Sequence, residues 1–239
     1  MHSIRQRATE PAMTTARDGS VTVAFPHGQI DIDTATHEPP GAAWATILLT
    51  HGAGSRFDHP FLIGFADAAA AAGVRCTRFN LPYAQAGRRL PGSAAQAVAA
   101  WHAVMDAAPD DVPVFAAGRS YGGRMASMAA AEGRLDVAGL MYLGYPLHPP
   151  GKPDRLRAEH LPRIAAPQLF VSGTRDPFID PHEQLERAVA SCPRADLHWV
   201  TGAGHAFEVA RHCRPAEQIG LDIAAVAIEW MRAQGSVPM

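Results

Sequence analysis

The sequence predicts an α/β fold, a mostly parallel central sheet with helices on both faces, on three observations. From Val21 onward, short β-branched or aliphatic runs alternate with longer amphipathic stretches, as crossover helices between parallel strands require. Some runs, Ala45–Thr50 (ATILLT) above all, are apolar throughout, as strands covered on both faces must be. Neither an internal repeat nor a linker interrupts the 239 residues, and 47 % hydrophobic against 18 % charged residues supplies one sizeable core.

The elements follow in chain order. Residues 1–18 are polar and aperiodic and are expected to form a disordered leader, leaving 19–239 as a single domain. Short strands are expected at 21–25 and 29–33, with Pro26-His27-Gly28 as the turn between them. The buried strand Ala45–Thr50 empties into His51-Gly52-Ala53-Gly54-Ser55. A helix over 60–72 ends at Gly73, strand Val74–Phe79 follows, and 80–92 reads as a loop. Ala97, Trp101, Val104 and Ala108 fall on one helical face and predict a crossover helix over 94–107. A strand over 114–117 runs into Gly118-Arg119-Ser120-Tyr121-Gly122-Gly123, and the next helix runs to about Glu132, with Gly133 as its terminator. Further strands are expected at 137–142, 168–172 and 196–200. Helices are expected at 181–191 and 216–231, the latter burying Ile219, Ile223, Val226 and Trp230.

Composition narrows the function. A formal net charge of -2 gives no general attraction to nucleic acid or anionic membrane, so neither is an expected partner. Cys76, Cys192 and Cys213 are too few and too scattered for a disulfide framework or a four-ligand zinc site, which fits a reducing cytoplasm. No apolar run reaches bilayer length, and the first residues lack the apolar stretch of a signal peptide. Lys152 is the only lysine, and an arginine- and alanine-rich composition of this kind points to a GC-rich bacterial genome. No H-E-x-x-H helix, P-loop lysine or G-x-G-x-x-G fingerprint occurs, so no metal or cofactor is expected.

The chemistry concentrates at G-x-S-x-G, residues 118–122. Between an apolar strand and an amphipathic helix, this pattern forces its serine into a strained turn with the hydroxyl above the sheet edge. Side chains at 118 and 122 would collide with the neighbouring helix and strand. A serine hydroxyl needs a base, and its oxyanion intermediate needs preformed donors. The backbone N–H of Tyr121 at the helix start is one expected donor, helped by the helix dipole. The second is expected in the loop after the earlier parallel strand, Ala53 first and Gly54 second.

Of twelve histidines, His205 lies in the loop directly after the last expected strand, on the same sheet edge as Ser120, and is the expected base. Two aspartates compete to orient it. Asp180-Pro181-His182-Glu183 reads as a helix N-cap followed by proline and glutamate, which occupies Asp180 structurally. Asp176 has no such duty and is the expected partner of the imidazole. Tyr83, Tyr145 and Phe178 follow expected strands and are candidates for lining a substrate pocket, or for simple packing. Arg88 and Arg89, in the 80–92 loop, are candidates for binding an anionic substrate group, against the commoner reading of adjacent loop arginines as a solvated face.

The order Ser120, Asp176, His205 is that of the α/β-hydrolase architecture. On these residues, and on HGAG (51–54), RFNLPY (78–83), GRSYGGRMASM (118–128), LGYPLHPPGKP (143–153), RDPF (175–178) and GAGHAF (202–207), the chain resembles the α/β-hydrolase superfamily. More narrowly it resembles the small dienelactone-hydrolase-like bacterial branch related to the testis-expressed and non-specific-lethal-complex hydrolase-like proteins. The resemblance implies an α/β-hydrolase fold. Dienelactone hydrolases carry cysteine as nucleophile, so Ser120 does not imply dienelactone cleavage.

The expected function is a cofactor-independent serine hydrolase, carboxylesterase-like, acting on an ester or related acyl bond of a small-molecule substrate. The alternatives are an inactive interaction module on the same fold, and an acyltransferase or thioesterase using the same residues. The segment 147–166 holds Pro149, Pro150, Pro153 and Pro162, leaving room for at most one short helix near 154–160 and hence a minimal lid. The 80–92 loop is the other candidate cover for the site.

Overall fold

The computed structural model describes residues 16–235. One eight-stranded sheet runs in the order β1-β2-β4-β3-β5-β6-β7-β8, where β1 is Arg17–Phe25, β2 Gly28–His37, β3 Ala45–Thr50, β4 Val74–Phe79, β5 Val114–Arg119, β6 Gly139–Leu143, β7 Gln168–Gly173 and β8 Ala195–Val200. β1 and β2 pair antiparallel with each other, β2 pairs antiparallel with β4, and every other pairing is parallel. This is the α/β-hydrolase fold.

Alternate residues of the parallel strands face two separate cores. Leu48, Ala116, Tyr142 and Phe170 pack on one side with Trp101 and Met125 from α3 (Ala94–Asp106) and α4 (Tyr121–Ala131). Ile47, Leu49, Phe115, Met141 and Val171 pack on the other with Phe61, Phe65, Ile219 and Trp230 from α1 (Pro60–Ala71) and α6 (Ala216–Gln234). The double burial explains why β3 and β6 read as unbroken apolar runs. β3 lies between β4 and β5 although it precedes both in sequence, so the chain leaves it in one direction and returns on its other side. The crevice at the carboxyl ends of β3 and β5 is the place where open parallel sheets bind ligands.

Several expectations need correction. Arg17 and Asp18, placed in the leader, belong to β1, where they pair with Thr36 and Ala35; residues 1–15 of that leader lie outside the described residues. β1 and β2 are about twice their expected length, because an edge hairpin half open to water carries little apolar signal in its outer half. The stretch expected as a loop contains α2 (Pro82–Gln85), a single turn with proline at its start and buried Pro82, Tyr83 and Ala84, too short for a periodic pattern. No helix forms over 154–160. That stretch has no apolar face to bury, and a 3-10 turn forms instead at Leu161–Arg163, anchored by fully buried Leu161. α5 is His182–Ala190 with Pro181 at the cap position, so Asp180 makes no capping bond and stands exposed. The segment 147–166 therefore crosses the molecule as turns, and no lid domain is inserted there.

Candidate active site

Ser120 is the junction between β5 and α4. Its backbone sits at φ 47°, ψ −114°, a region that L-residues rarely occupy and that costs about 1–3 kcal/mol. The surroundings hold it there: Ser120 N–H donates to Leu143 O at 3.0 Å, and Ser120 O accepts from Arg124 N–H at 3.1 Å. The turn tolerates no side chain on its glycines. A Cβ at Gly118 would stand 2.3 Å from Gly123 N, and one at Gly122 would stand 2.5 Å from His51 O. The second contact presses the elbow against the loop after β3.

The loops after β7 and β8 meet in front of this serine. They are joined by Arg175 N–H donating to Ala203 O at 2.8 Å and Gly202 N–H donating to Thr174 Oγ1 at 2.8 Å. In the gap, Ser120 Oγ lies 2.8 Å from His205 Nε2, and His205 Nδ1 lies 2.7 Å from Asp176 Oδ2. A carboxylate only accepts, so Nδ1 carries the proton and Nε2 presents its lone pair to the serine hydroxyl, which donates. Asp176 is 1 % exposed, and its other oxygen accepts from Phe178 N–H at 2.9 Å, which fixes the carboxylate's orientation. Phe178 in turn stacks on His205, ring centroids 4.2 Å apart. Three groups far apart in sequence thus form one hydrogen-bonded line from hydroxyl through imidazole to carboxylate.

The loop after β3 completes the surroundings. Gly52 O accepts from Ser55 N–H at 3.3 Å, closing a turn with Ala53 and Gly54 at its exposed tip, and Gly54 takes the positive φ of 74° that this tip needs. Ala53, Gly54, Ser120, Phe178 and His205 border one open cleft of about 680 Å³, and Arg119 also lines it. Tyr121 N–H is at the first turn of α4, where no helical carbonyl precedes it.

Sequence reading missed the residue that shapes this loop. His51 is buried beneath it, its Nδ1–H donating to Gly52 O at 2.9 Å while its Nε2 accepts from Leu81 N–H at 3.0 Å. The second bond requires neutral imidazole, since a protonated Nε2 has no lone pair to accept with. Burial pushes its pKa from 6.5 down to about 4. The folded state then binds fewer protons than the unfolded chain, so this contribution is complete above pH 6.5 and is lost as pH falls toward about 4, an amount on the order of 3 kcal/mol. Melting temperature is therefore expected to fall across that window, and less steeply in His51→Gln. Parallel slopes in the two proteins would contradict this role. The histidine-glycine pair directly after a buried strand was the available signal.

Two of the three pocket candidates are elsewhere. Tyr83 is buried under the same loop, its hydroxyl donating to Gly52 O at 2.9 Å, so it supports the loop from behind and does not line the cleft. Tyr145 is fully buried against Tyr142 and Phe170, its hydroxyl donating to Arg157 O at 2.8 Å. Only Phe178 reaches the cleft. Arg88 and Arg89 are exposed and are not among the cleft residues. Arg119 is, and burial lowers its guanidinium pKa as it lies 4.8 Å over the Phe61 ring.

Comparison with known proteins agrees with this architecture. A family model described as an alpha/beta hydrolase domain matches residues 43–231. A dienelactone hydrolase from Anabaena variabilis superposes with a TM-score of 0.70 at 23 % identity, over 92 % of this chain and 98 % of that one. An alpha-beta serine hydrolase homologue from Coxiella burnetii gives 0.68 at 19 % identity over 88 % and 96 %. A Xanthomonas campestris protein described as an a/b serine hydrolase without lid gives 0.67 at 18 % identity over 95 % and 97 %. At these identities the likeness is one of fold. Since the family match spans most of the chain, from before β3 to within α6, the protein belongs to the alpha/beta hydrolase family.

Proposed function

We propose that this protein is a cofactor-independent serine hydrolase that cleaves an ester or related acyl bond of a small substrate through an acyl-enzyme. The observation that carries the reading is the line Ser120 Oγ, His205 Nε2, His205 Nδ1, Asp176 Oδ2, with both separations inside hydrogen-bond range. As Ser120 Oγ attacks the substrate carbonyl carbon, its proton passes to His205 Nε2, and Asp176 stabilises the imidazolium. The carbonyl oxygen becomes an oxyanion, stabilised by Tyr121 N–H and by Ala53 N–H, with Gly54 N–H as the other candidate donor. Collapse expels the alcohol, which takes the proton from His205. Water then attacks the acyl-enzyme by the same route and releases the acid.

The segments quoted from HGAG to GAGHAF support placing the chain in the small bacterial branch related to the testis-expressed and non-specific-lethal-complex hydrolase-like proteins. Three scattered cysteines favour a cytoplasmic setting, and the open cleft beside Ser120 favours a small-molecule acyl substrate as partner; no helix among the described residues is long and apolar enough to cross a membrane.

A fluorophosphonate probe tests the proposal. Folded wild-type protein should be labelled and Ser120→Ala should not; unlabelled wild-type protein would favour an interaction module, and labelling that survives the substitution would place the nucleophile elsewhere. The cleft is open, with the exposed turn of Ala53 and Gly54 on its border and no inserted helix above it, so a long acyl chain would stay largely exposed to water. Activity on p-nitrophenyl esters is expected to be highest at short acyl lengths, without a jump when longer esters aggregate. A maximum at long chains would mean that some segment closes over the site.

A further inference from the structure

A second cavity, of about 320 Å³, lies between α4 and the 147–166 segment, and its residues take no part in the chemistry above. Half-buried Arg124 and Arg157 form its interior, and Arg163 stands at the exposed rim. None of the three belongs to an ion pair among the described residues. Arg124 Nε is buried without any acceptor. A guanidinium keeps its charge and five donors under all ordinary conditions, so two of them lining one cavity without a carboxylate partner is a costly arrangement. Burial, with the like charge of Arg124, holds the Arg157 pKa below its usual value. Burial, then the charges of Arg124 and Arg163, push His160 down to about 4, so at neutral pH it adds no charge and is hydrogen-bonded to Ser127 Oγ at 2.7 Å. Glu132 and Glu159 also border the cavity, both exposed at its edge, where solvent screens them. Met128, Ala131 and Leu156 form an apolar wall, and Leu156 is one of two large apolar side chains left exposed among the described residues, at 46 %.

We propose that this cavity is a binding site for a phosphate monoester, its dianionic head held by Arg124 and Arg157 and its organic group lying on Met128 and Leu156. Two guanidinium forks match a tetrahedral dianion with three free oxygens, whereas a single carboxylate would leave one cation unanswered. The apolar wall accounts for an organic substituent, which free phosphate does not have.

Isothermal titration at about pH 8, where such a monoester is dianionic, with phenyl phosphate, inorganic phosphate, sulfate and succinate as separate probes, tests the site. Phenyl phosphate should bind most tightly, with inorganic phosphate and sulfate weaker and succinate weakest. Arg157→Gln should weaken phenyl phosphate by about tenfold or more. This change spares Tyr145, whose partner is the Arg157 backbone carbonyl. Arg163→Gln, on an exposed rim, should weaken it by a smaller factor without risk to the fold, and Glu132→Gln should tighten it. No binding at millimolar concentration, equal affinity for all four probes, preference for succinate, or affinities indifferent to all three substitutions would each overturn the proposal.

Discussion

Ser120→Ala is expected to lower turnover of a short p-nitrophenyl ester by on the order of 10⁶-fold, and His205→Ala by nearly as much, with the double variant no worse than either alone. The non-additivity is the informative part. The hydroxyl and the imidazole share one proton across 2.8 Å, so removing either leaves the other with nothing to do. A residual rate above water should remain, because Tyr121 N–H and the turn at Ala53 and Gly54 are backbone donors that neither substitution removes. Melting temperature should change little in Ser120→Ala, since the backbone strain at φ 47° is imposed by the surrounding hydrogen bonds and not by the hydroxyl. Steady-state rates and thermal melts of the three variants check this; effects that multiply in the double variant would show two groups acting independently.

Asp176→Asn should cut turnover by about 10⁴-fold while leaving KM and melting temperature nearly unchanged. The geometry gives the reason. Oδ1 accepts from Phe178 N–H, and an asparagine keeps that bond only by turning its carbonyl oxygen there, which directs its NH₂ group at His205 Nδ1. Nδ1 must then accept, the ring proton moves to Nε2, and the lone pair that should take the serine proton is gone. Asp176→Ala also loses the Phe178 bond and leaves a buried gap, so it should lower stability by roughly 1–3 kcal/mol in addition to losing activity. If Asn and Ala variants melt alike and both keep substantial turnover, the carboxylate is a structural turn residue and the mechanism needs another partner for His205. Asp180, exposed and outside any cap, should be close to neutral on replacement in either assay.

The choice between those two aspartates shows where local reasoning holds and where it stops. Asp176 stands beside His205 as its place after β7 suggested, but the capping pattern read at Asp180 does not form in α5, which starts one residue later with Pro181 at the cap position. Capping motifs are weak local preferences, and the path by which a loop enters its helix is set by what the loop must reach. Here the preceding turn is committed to holding Asp176 against His205.

The sequence by itself determined the doubly covered strand β3 at its expected bounds, because a strand buried on both faces writes an unbroken apolar run whatever its neighbours are. It also determined the glycines flanking Ser120 and the order of the three functional groups, since a strand-to-helix turn without room for side chains and a sheet that delivers its loops to one edge are both consequences of chain connectivity. The tertiary structure alone decided which way side chains face. Tyr83, Tyr145 and Phe178 all follow strands, yet only Phe178 meets the cleft, because the layers closing over the other two seal them inward. It also decided that His51 would be a buried, neutral support for the turn after β3, and that Arg124 and Arg157, more than thirty residues apart, would share one cavity. Such outcomes depend on contacts between segments distant in sequence, and no periodicity, cap or turn signal within a single segment encodes them.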